Sequence, residues 1–315
     1  MPKVISLGNT CLDIILLHTD NLPKWGREIF FDETLWRTAG QGANFAIASS
    51  SLGNTTYLIS NIGSDPAGAR IEAELKTIKR LDLRFLRKTT GSTGFSVSVI
   101  RSDGERLFLT FLGHQDIFSL KRDEGEIIHT AENEDIIHIS GYYMLPHLRE
   151  ELPPLLRELR AKNVRISFDP GWYPFGFNRS ERANLKTILP HVDYFEPNEM
   201  ELLAMTGENT ITSAVGKIRR CFSGVLALKR GESGSVIFSG NKRIISKAFK
   251  IRALDSTGAG DVFDAAFLTG AIKEDALEVC ARKGNAAAAI LMTRGNSDRS
   301  RFPTEGALNS FLEES

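Results

Sequence analysis

Asp255-Ser256-Thr257-Gly258-Ala259-Gly260-Asp261 is the stretch around which the chain is organised. The residues before it, Ala248 to Leu254, read as an extended strand. Those after it, Val262-Phe263-Asp264-Ala265-Ala266-Phe267-Leu268, carry apolar side chains at helical spacing, with Ser256 or Thr257 placed as N-cap. The glycines therefore fall at a helix entrance, where N–H groups lack partners within the helix and the aligned peptide dipoles leave partial positive charge. Gly258 and Gly260 put no side chain between the backbone and an approaching anion. A carboxylate at Asp261 would repel that anion unless it had a separate role. Taking the proton of an attacking hydroxyl is such a role. Phosphoryl transfer needs its charge stabilised and its nucleophile aimed, and this segment offers N–H groups for one and a carboxylate for the other. The plainer reading is a glycine turn in which Asp261 only favours the helix N-terminus.

Composition sets the frame for that segment. The 315 residues suffice for one large domain or two, and 42% hydrophobic with 25% charged residues is ordinary for a globular chain. A formal net charge of zero argues against a broad nucleic-acid or anionic-membrane surface. Cys11, Cys221 and Cys280 are widely spaced and form no C-x-x-C, so neither a disulfide framework nor a zinc cluster is indicated, and a reducing, cytoplasmic setting is expected. No apolar run approaches membrane-spanning length, and no charged-then-apolar signal segment opens the chain.

Along the chain, Val4-Ile5-Ser6-Leu7 reads as a buried strand followed by a loop and Asp13, a carboxylate among Leu12, Ile14 and Ile15. Asp13 either accepts two hydroxyl donors of a ligand or caps a turn. Residues 25–38 are aromatic and β-favouring. Gly94 to Ile100 alternates with period two, turns at Asp103-Gly104 and returns through Arg106 to Phe111, so these pieces predict a small sheet outside the main domain. Between them, Ala39-Gly40-Gln41-Gly42-Ala43-Asn44 opens an Ala-rich helix. From residue 56 onward strands and helices alternate: strands at 56–60, 135–139, 164–168 and 192–195, helices at 66–79, 148–162 and 179–189. That pattern predicts an α/β fold, a mainly parallel sheet covered by helices on both faces. His129, His138, His147 and His191 lack metal-ligand spacing. G-x-x-x-x-G-K-[ST], H-R-D with D-F-G, and G-x-G-x-x-G after the first strand are all missing.

Residues 255–261 resemble the D-T-x-G-A-G-D signature of the ribokinase-like carbohydrate kinases, the PfkB family, with Ser256 in place of the usual threonine. Residues 39–44 resemble its G-G-x-G-A-N motif, with Ala39 for one glycine, and Pro197-Asn198-Glu199-Met200-Glu201 holds its N-x-x-E. Lys229-Arg230-Gly231-Glu232-Ser233-Gly234 matches T-x-G-x-x-G with lysine first. The four motifs occur in the family's order over nearly the whole chain.

The resemblance implies that residues 1–315 form one ribokinase-like domain, with a discontinuous β lid near 12–38 and 92–112. It implies Asp261 as catalytic base and Gly258, Ala259 and Gly260 as the anion hole. Asp13, Gly40, Gly42 and Asn44 would bind the sugar. Asn198, Lys229, Gly231, Gly234 and Asn285 would bind ATP, and Glu201 would hold Mg²⁺ through water. A monovalent cation such as K⁺ would sit at Asp255 and Thr257, with carbonyls from the turn Thr293 to Asn296. The implied activity is ATP-dependent phosphorylation of a primary hydroxyl of a small sugar, in a homodimer joined through the lid. The family often carries D-P-N and an Arg where this chain has Asp169-Pro170-Gly171-Trp172, a departure that points to an uncharged acceptor. Two other readings stand beside it: a nucleoside kinase of the same family, its base under Trp36, Phe95 or Phe108, and a sugar-binding protein without turnover.

Overall fold

The computed structural model describes residues 2–16, 22–31, 33–101, 106–294 and 299–314. Its strands are β1 (Val4–Gly8), β2 (Cys11–Leu16), β3 (Thr34–Ala39), β4 (Thr56–Gly63), β5 (Leu81–Asp82), β6 (Leu86–Thr89), β7 (Phe95–Ile100), β8 (Arg106–Phe111), β9 (Ile136–Ser140), β10 (Arg165–Asp169), β11 (Tyr194–Phe195), β12 (Val225–Lys229), β13 (Ser235–Ser239) and β14 (Lys242–Ser246). Its α-helices are α1 (Gln41–Ser51), α2 (Pro66–Leu75), α3 (Glu124–Thr130), α4 (Leu148–Ala161), α5 (Arg179–Ile188), α6 (Glu199–Thr206), α7 (Ile211–Ile218), α8 (Ala259–Ile272), α9 (Leu277–Arg294) and α10 (Glu305–Glu313).

The main sheet runs β14-β13-β12-β11-β10-β9-β1-β4-β5, with β6 also paired to β4. It is parallel from β5 to β12 and closes with the antiparallel pairs β12/β13 and β13/β14. Every residue of β1 and β9 is buried, as strands covered on both faces require. The period of two splits them between two cores. Ile5 and Leu7 join the apolar stripe of α4, Leu148, Leu152, Leu155, Leu156 and Leu159. Val4 faces the other way, into a core built from α1, α8 and α9. Those three helices are rich in small residues, which lets them pack closely and carries the entrance of α8 up to the sheet.

A second sheet, ordered β3-β2-β7-β8, forms the expected lid. The register places Ile14 beside both Trp36 and Val97, and Phe95 beside Phe111, on one face. Asp13 pairs with Arg37 and Ser96, and Ser96 with Thr110, on the other.

Two local expectations are corrected. Residues 22–31 form no regular strand, so the β content of 25–38 is confined to β3; the Asp103-Gly104 turn lies outside the described residues. Ala248 to Leu254, expected as a strand, pairs with no strand and has no regular structure. It lies past β14, at the edge of the sheet, and helix α9 holds its two ends instead. Asn285 Nδ2 donates to the Lys247 carbonyl, and the Leu254 N–H donates to the Met292 carbonyl at 2.9 Å.

Candidate active site

A cavity of about 1520 Å³ opens where the small sheet meets the carboxyl ends of β1, β10 and β12, the edge at which ligands collect in open α/β sheets. The entrance of α8 forms its floor. Gly258 is the N-cap, with φ 83°, and no side chain caps the helix. Neither expected cap, Ser256 nor Thr257, bonds the start of the helix, and the Thr257 N–H is itself bound, at 2.8 Å, by Asp255 Oδ1. With no capping side chain, the N–H groups of Gly260 and Asp261 meet no acceptor among the described residues and face the cavity.

Asp261 stands in the first turn of α8, 6% exposed. Asn44 Nδ2 donates to its Oδ2 at 2.8 Å. Burial and the Asp169 charge push Asp261 up to about 7, against the pull of the Asn44 amide and Lys229. A carboxyl with that value exchanges protons readily near neutral pH, as a general base must.

Asp13 is 8% exposed, lines the same cavity and makes no side-chain hydrogen bond among the described residues. Burial raises it to about 6, with Arg37 and Arg301 pulling the other way. Gly40 also lines the cavity. Its φ is 97°, and a Cβ there would meet the Asn9 carbonyl at 2.5 Å, so the entry to α1 demands glycine. Gly42 is a correction. It lies behind the cavity wall, where a Cβ would fall 2.6 Å from Gly8, and its carbonyl accepts Ser6 Oγ–H at 2.8 Å. Its place in the motif comes from packing α1 on β1, not from facing a ligand.

On the other side of Asp261 lie the residues expected for the nucleotide. Asn198 caps α6 in a reciprocal capping box with Glu201: Asn198 Oδ1 accepts the Glu201 N–H at 2.9 Å, and Glu201 Oε2 accepts the Asn198 N–H at 2.8 Å. Both residues line the cavity, and burial, then the Asp169 charge, raises Glu201 to about 7. Gly231 and Gly234 line it too. Asn285, expected to bind ATP, reaches the same wall, but its amide nitrogen is committed to Ser246 O, Ser246 Oγ and Lys247 O and secures those two residues.

Lys229 is not a free point charge. Its Nζ bonds Asp169 Oδ2 at 2.9 Å and Asp264 Oδ1 and Oδ2 at 3.0 and 2.8 Å, and sits 3.6 Å from where a Cβ on Gly260 would be. Burial works against its charge, but Asp169 and Asp264 outweigh burial and hold its pKa above the ordinary lysine range.

The cation expectation at Asp255 and Thr257 meets two guanidinium groups. Arg37 Nη1 donates to Asp255 Oδ2 at 3.1 Å, and its Nε lies 3.8 Å from Asp13. Arg301 Nη1 donates to the Thr257 carbonyl at 3.0 Å and lies 4.0 Å from Asp255 Oδ2; its Nη2 reaches Asn44 Oδ1 at 3.5 Å. Of the turn at 293–296, residues 295 and 296 fall outside the described residues.

Sequence reasoning did not find Arg37, Arg301 or Asp264 as parts of this site. Asp264 carried one signal, its place close to one helical turn beyond Asp261 in an otherwise apolar stretch. The two arginines carried none. The aromatic candidates divide by face: Phe108 lines the cavity, whereas Trp36 and Phe95 sit on the opposite face of the small sheet. Trp172 lines it as well.

The sequence matches the family described as pfkB family carbohydrate kinase over residues 1–305. The chain belongs to that family. A pfkB fold accounts for both sheets: the structure superposes with a TM-score of 0.82 on Arabidopsis thaliana ribokinase complexed with ribose and ATP, at 23% identity, covering 100% of this chain and 99% of that one. Among curated pfkB relatives, an uncharacterized sugar kinase of Archaeoglobus fulgidus is 29% identical over 247 residues, 76% of this chain and 92% of its own length. The ribokinase of Arabidopsis thaliana is 27% identical over 298 residues, 92% of this chain and 76% of its own length. As a pfkB protein with this fold, the chain is an ATP-dependent carbohydrate kinase. No helix among the described residues is long and apolar enough to cross a membrane.

Proposed function

We propose that this kinase transfers the γ-phosphoryl group of ATP to a primary hydroxyl of a small, uncharged sugar, with Asp261 as base. The observation that carries the reading is the Asp261 carboxylate, raised to about 7 and aimed by Asn44, one residue from N–H groups open to the same cavity. The sugar hydroxyl gives its proton to Asp261. Its oxygen forms the new bond to phosphorus as the bond from phosphorus to the ADP oxygen breaks, and ADP leaves with that electron pair. The open N–H groups of Gly260 and Asp261, beside the Gly258 N-cap, stabilise the charge on the moving group, whereas the Ala259 N–H, expected among them, donates instead to the Ser256 carbonyl at 3.1 Å.

Asp13, with no hydrogen-bond partner of its own among the described residues, is suited to accept two sugar hydroxyls, with Gly40 and Asn44 beside it. Asn198, Lys229, Gly231, Gly234 and the α9 wall at Asn285 frame the nucleotide. Glu201 fits Mg²⁺ held through water: it is a cavity carboxylate whose proton affinity burial has raised, and a divalent ion would favour its charged form. When bound, that ion offsets the negative charge of the ATP phosphates.

At the acceptor end, the cavity is lined beside Asp13 by the uncharged side chains of Asn9, Gln41, Ser96, Thr110 and Gln115; Arg37, 3.8 Å from Asp13, is not part of that lining. An acceptor already bearing a phosphate or carboxylate would meet Asp13 and Asp169, whose neighbouring cations Arg37 and Lys229 are already paired with carboxylates, which supports an uncharged one. Phe108 and Trp172 offer aromatic faces at that end, and these favour a nucleoside as the second reading.

The outer face of the lid exposes Trp36, Phe95, Leu107, Leu109 and Phe111, an apolar surface that supports a homodimer formed face to face through the lid. Three free thiols support a reducing, cytoplasmic setting, and a net charge of zero supports a protein without a nucleic-acid partner. ADP release with Mg²⁺ and ATP across pentoses, hexoses, sugar acids, sugar phosphates and nucleosides tests the reading. A signal for one neutral sugar that disappears in Asp261→Asn supports it. Turnover only with an anionic acceptor, or none with any acceptor while ATP still binds, contradicts it.

A further inference from the structure

The monovalent cation implied by the family resemblance does not fit the residues present. Such an ion needs oxygen atoms with lone pairs to spare, and at Asp255 and Thr257 three of the described oxygens each already accept from a nitrogen donor. Asp255 Oδ1 accepts the Thr257 N–H at 2.8 Å, Asp255 Oδ2 accepts Arg37 Nη1 at 3.1 Å, and the Thr257 carbonyl accepts Arg301 Nη1 at 3.0 Å. The locality is short of acceptors, not of donors: Arg37 Nε and Nη2 are buried and have no acceptor among the described residues. A metal cation placed there would also lie beside two guanidinium charges, in a part of the protein where burial weakens screening.

The same two groups already provide the positive charge that a cation would bring. Asp13, Asp255 and Asp261 converge on the entrance of α8, and a phosphoryl group arriving there adds further negative charge. Arg37 bridges Asp13 and Asp255 from the lid strand β3. Arg301 comes from the C-terminal segment and braces the Thr257 carbonyl and the Asn44 amide. A planar fork of donors can serve two carboxylates at once, and the charge it brings is one that a lysine ammonium also carries.

We propose that Arg37 and Arg301 act as positioning residues that supply the positive charge beside the anion hole from within the chain, so that this enzyme works without a monovalent cation. The proposal rests on the kinase reading of the site. It differs from an ordinary structural role in what it predicts: removing the charge should create a dependence on potassium that the parent protein lacks.

The test compares the intact protein in potassium chloride and in tetramethylammonium chloride at equal ionic strength, by melting temperature, by ATP affinity and by turnover. The parent is expected to melt at the same temperature, bind ATP equally and turn over equally in both salts. A potassium-specific rise in melting temperature, or turnover lower by about tenfold or more in tetramethylammonium, overturns the proposal. Arg37→Gln, which frees Asp255 Oδ2, is expected to lose about tenfold or more in turnover in tetramethylammonium and to regain it in potassium. Arg37→Lys is expected to stay active in both salts, and it serves as the comparison if Arg37→Gln fails to fold. Full activity of Arg37→Gln in tetramethylammonium, or a loss that neither potassium nor Arg37→Lys restores, overturns the assignment. The melting arm needs no acceptor, so cation-indifferent melting without turnover in any salt counts against the kinase reading alone.

Discussion

Asn44 Nδ2 donates to Asp261 Oδ2 at 2.8 Å, joining the first turns of α1 and α8 across 217 residues. Arg301 faces the Asn44 Oδ1 at 3.5 Å, so the amide is oriented with its nitrogen towards the carboxylate. Replacing that donor by a second carboxylate, in Asn44→Asp, removes a bond that lowers the Asp261 pKa and adds a like charge that raises it. The pH profile of kcat/KM should shift towards higher pH, with reduced activity at neutral pH. An unmoved profile would show that Asn44 does not tune Asp261.

Asp261→Asn keeps the shape of the side chain and removes its basicity. Turnover is expected to fall by about 10²- to 10⁴-fold, the usual contribution of general-base catalysis. ATP and sugar binding, measured by calorimetry, should change little, because the N–H groups of α8 remain. Near-parental turnover would rule out Asp261 as the base.

The pH dependence of activity and of stability should run in opposite directions. Asp261 must be ionised to accept a proton, so activity should rise with pH through a midpoint near 7, the value to which burial and Asp169 raise it from 3.8. A carboxyl whose folded value is raised holds its proton more tightly in the folded chain. Its contribution to stability is therefore present below about pH 4 and is lost as pH rises through about 7. Thermal melts of Asp261→Asn should exceed those of the parent at alkaline pH and converge with them in acid. A constant offset at all pH values would contradict this.

Lys229 is the common partner of two buried carboxylates, Asp169 and Asp264. Lys229→Met leaves both without their cation and should cost about 3–5 kcal/mol in chemical denaturation, the usual result of breaking a buried pair from one side. Asp264→Asn leaves Lys229 paired with Asp169 and should cost less. Equal and small losses for the two variants would show that the cluster is not held by charge.

Leu109 is 58% exposed on the outer face of the lid. Leu109→Glu should move the protein from dimer to monomer in sedimentation or gel filtration, because two such faces would bring the new carboxylates together in an apolar contact. The melting temperature of the resulting monomer should not depend on protein concentration. A parent that is already monomeric at micromolar concentration would remove the dimer proposal.

The amino-acid sequence by itself determined what local pattern can carry. Alternating strands and helices dictated the parallel sheet, and glycine before an apolar helical run marked the entrance of α8 with Asp261 in its first turn. Asn198 and Glu201 were legible as the N-x-x-E of the family resemblance at a helix start; that they close a capping box is a finding of the structure. What only the tertiary structure decided depends on chain segments far apart in sequence. Arg37 meets Asp255 across 218 residues, and no local period announces a partner at that distance. Strand register, not residue type, turned Trp36 and Phe95 away from the cavity and Phe108 towards it, because a shift of one residue exchanges the two faces of a strand. Gly42 shows the same limit within a motif: glycine at that position signals a close approach, and only the packing of α1 on β1 shows that the approaching atoms belong to Gly8 and not to a ligand.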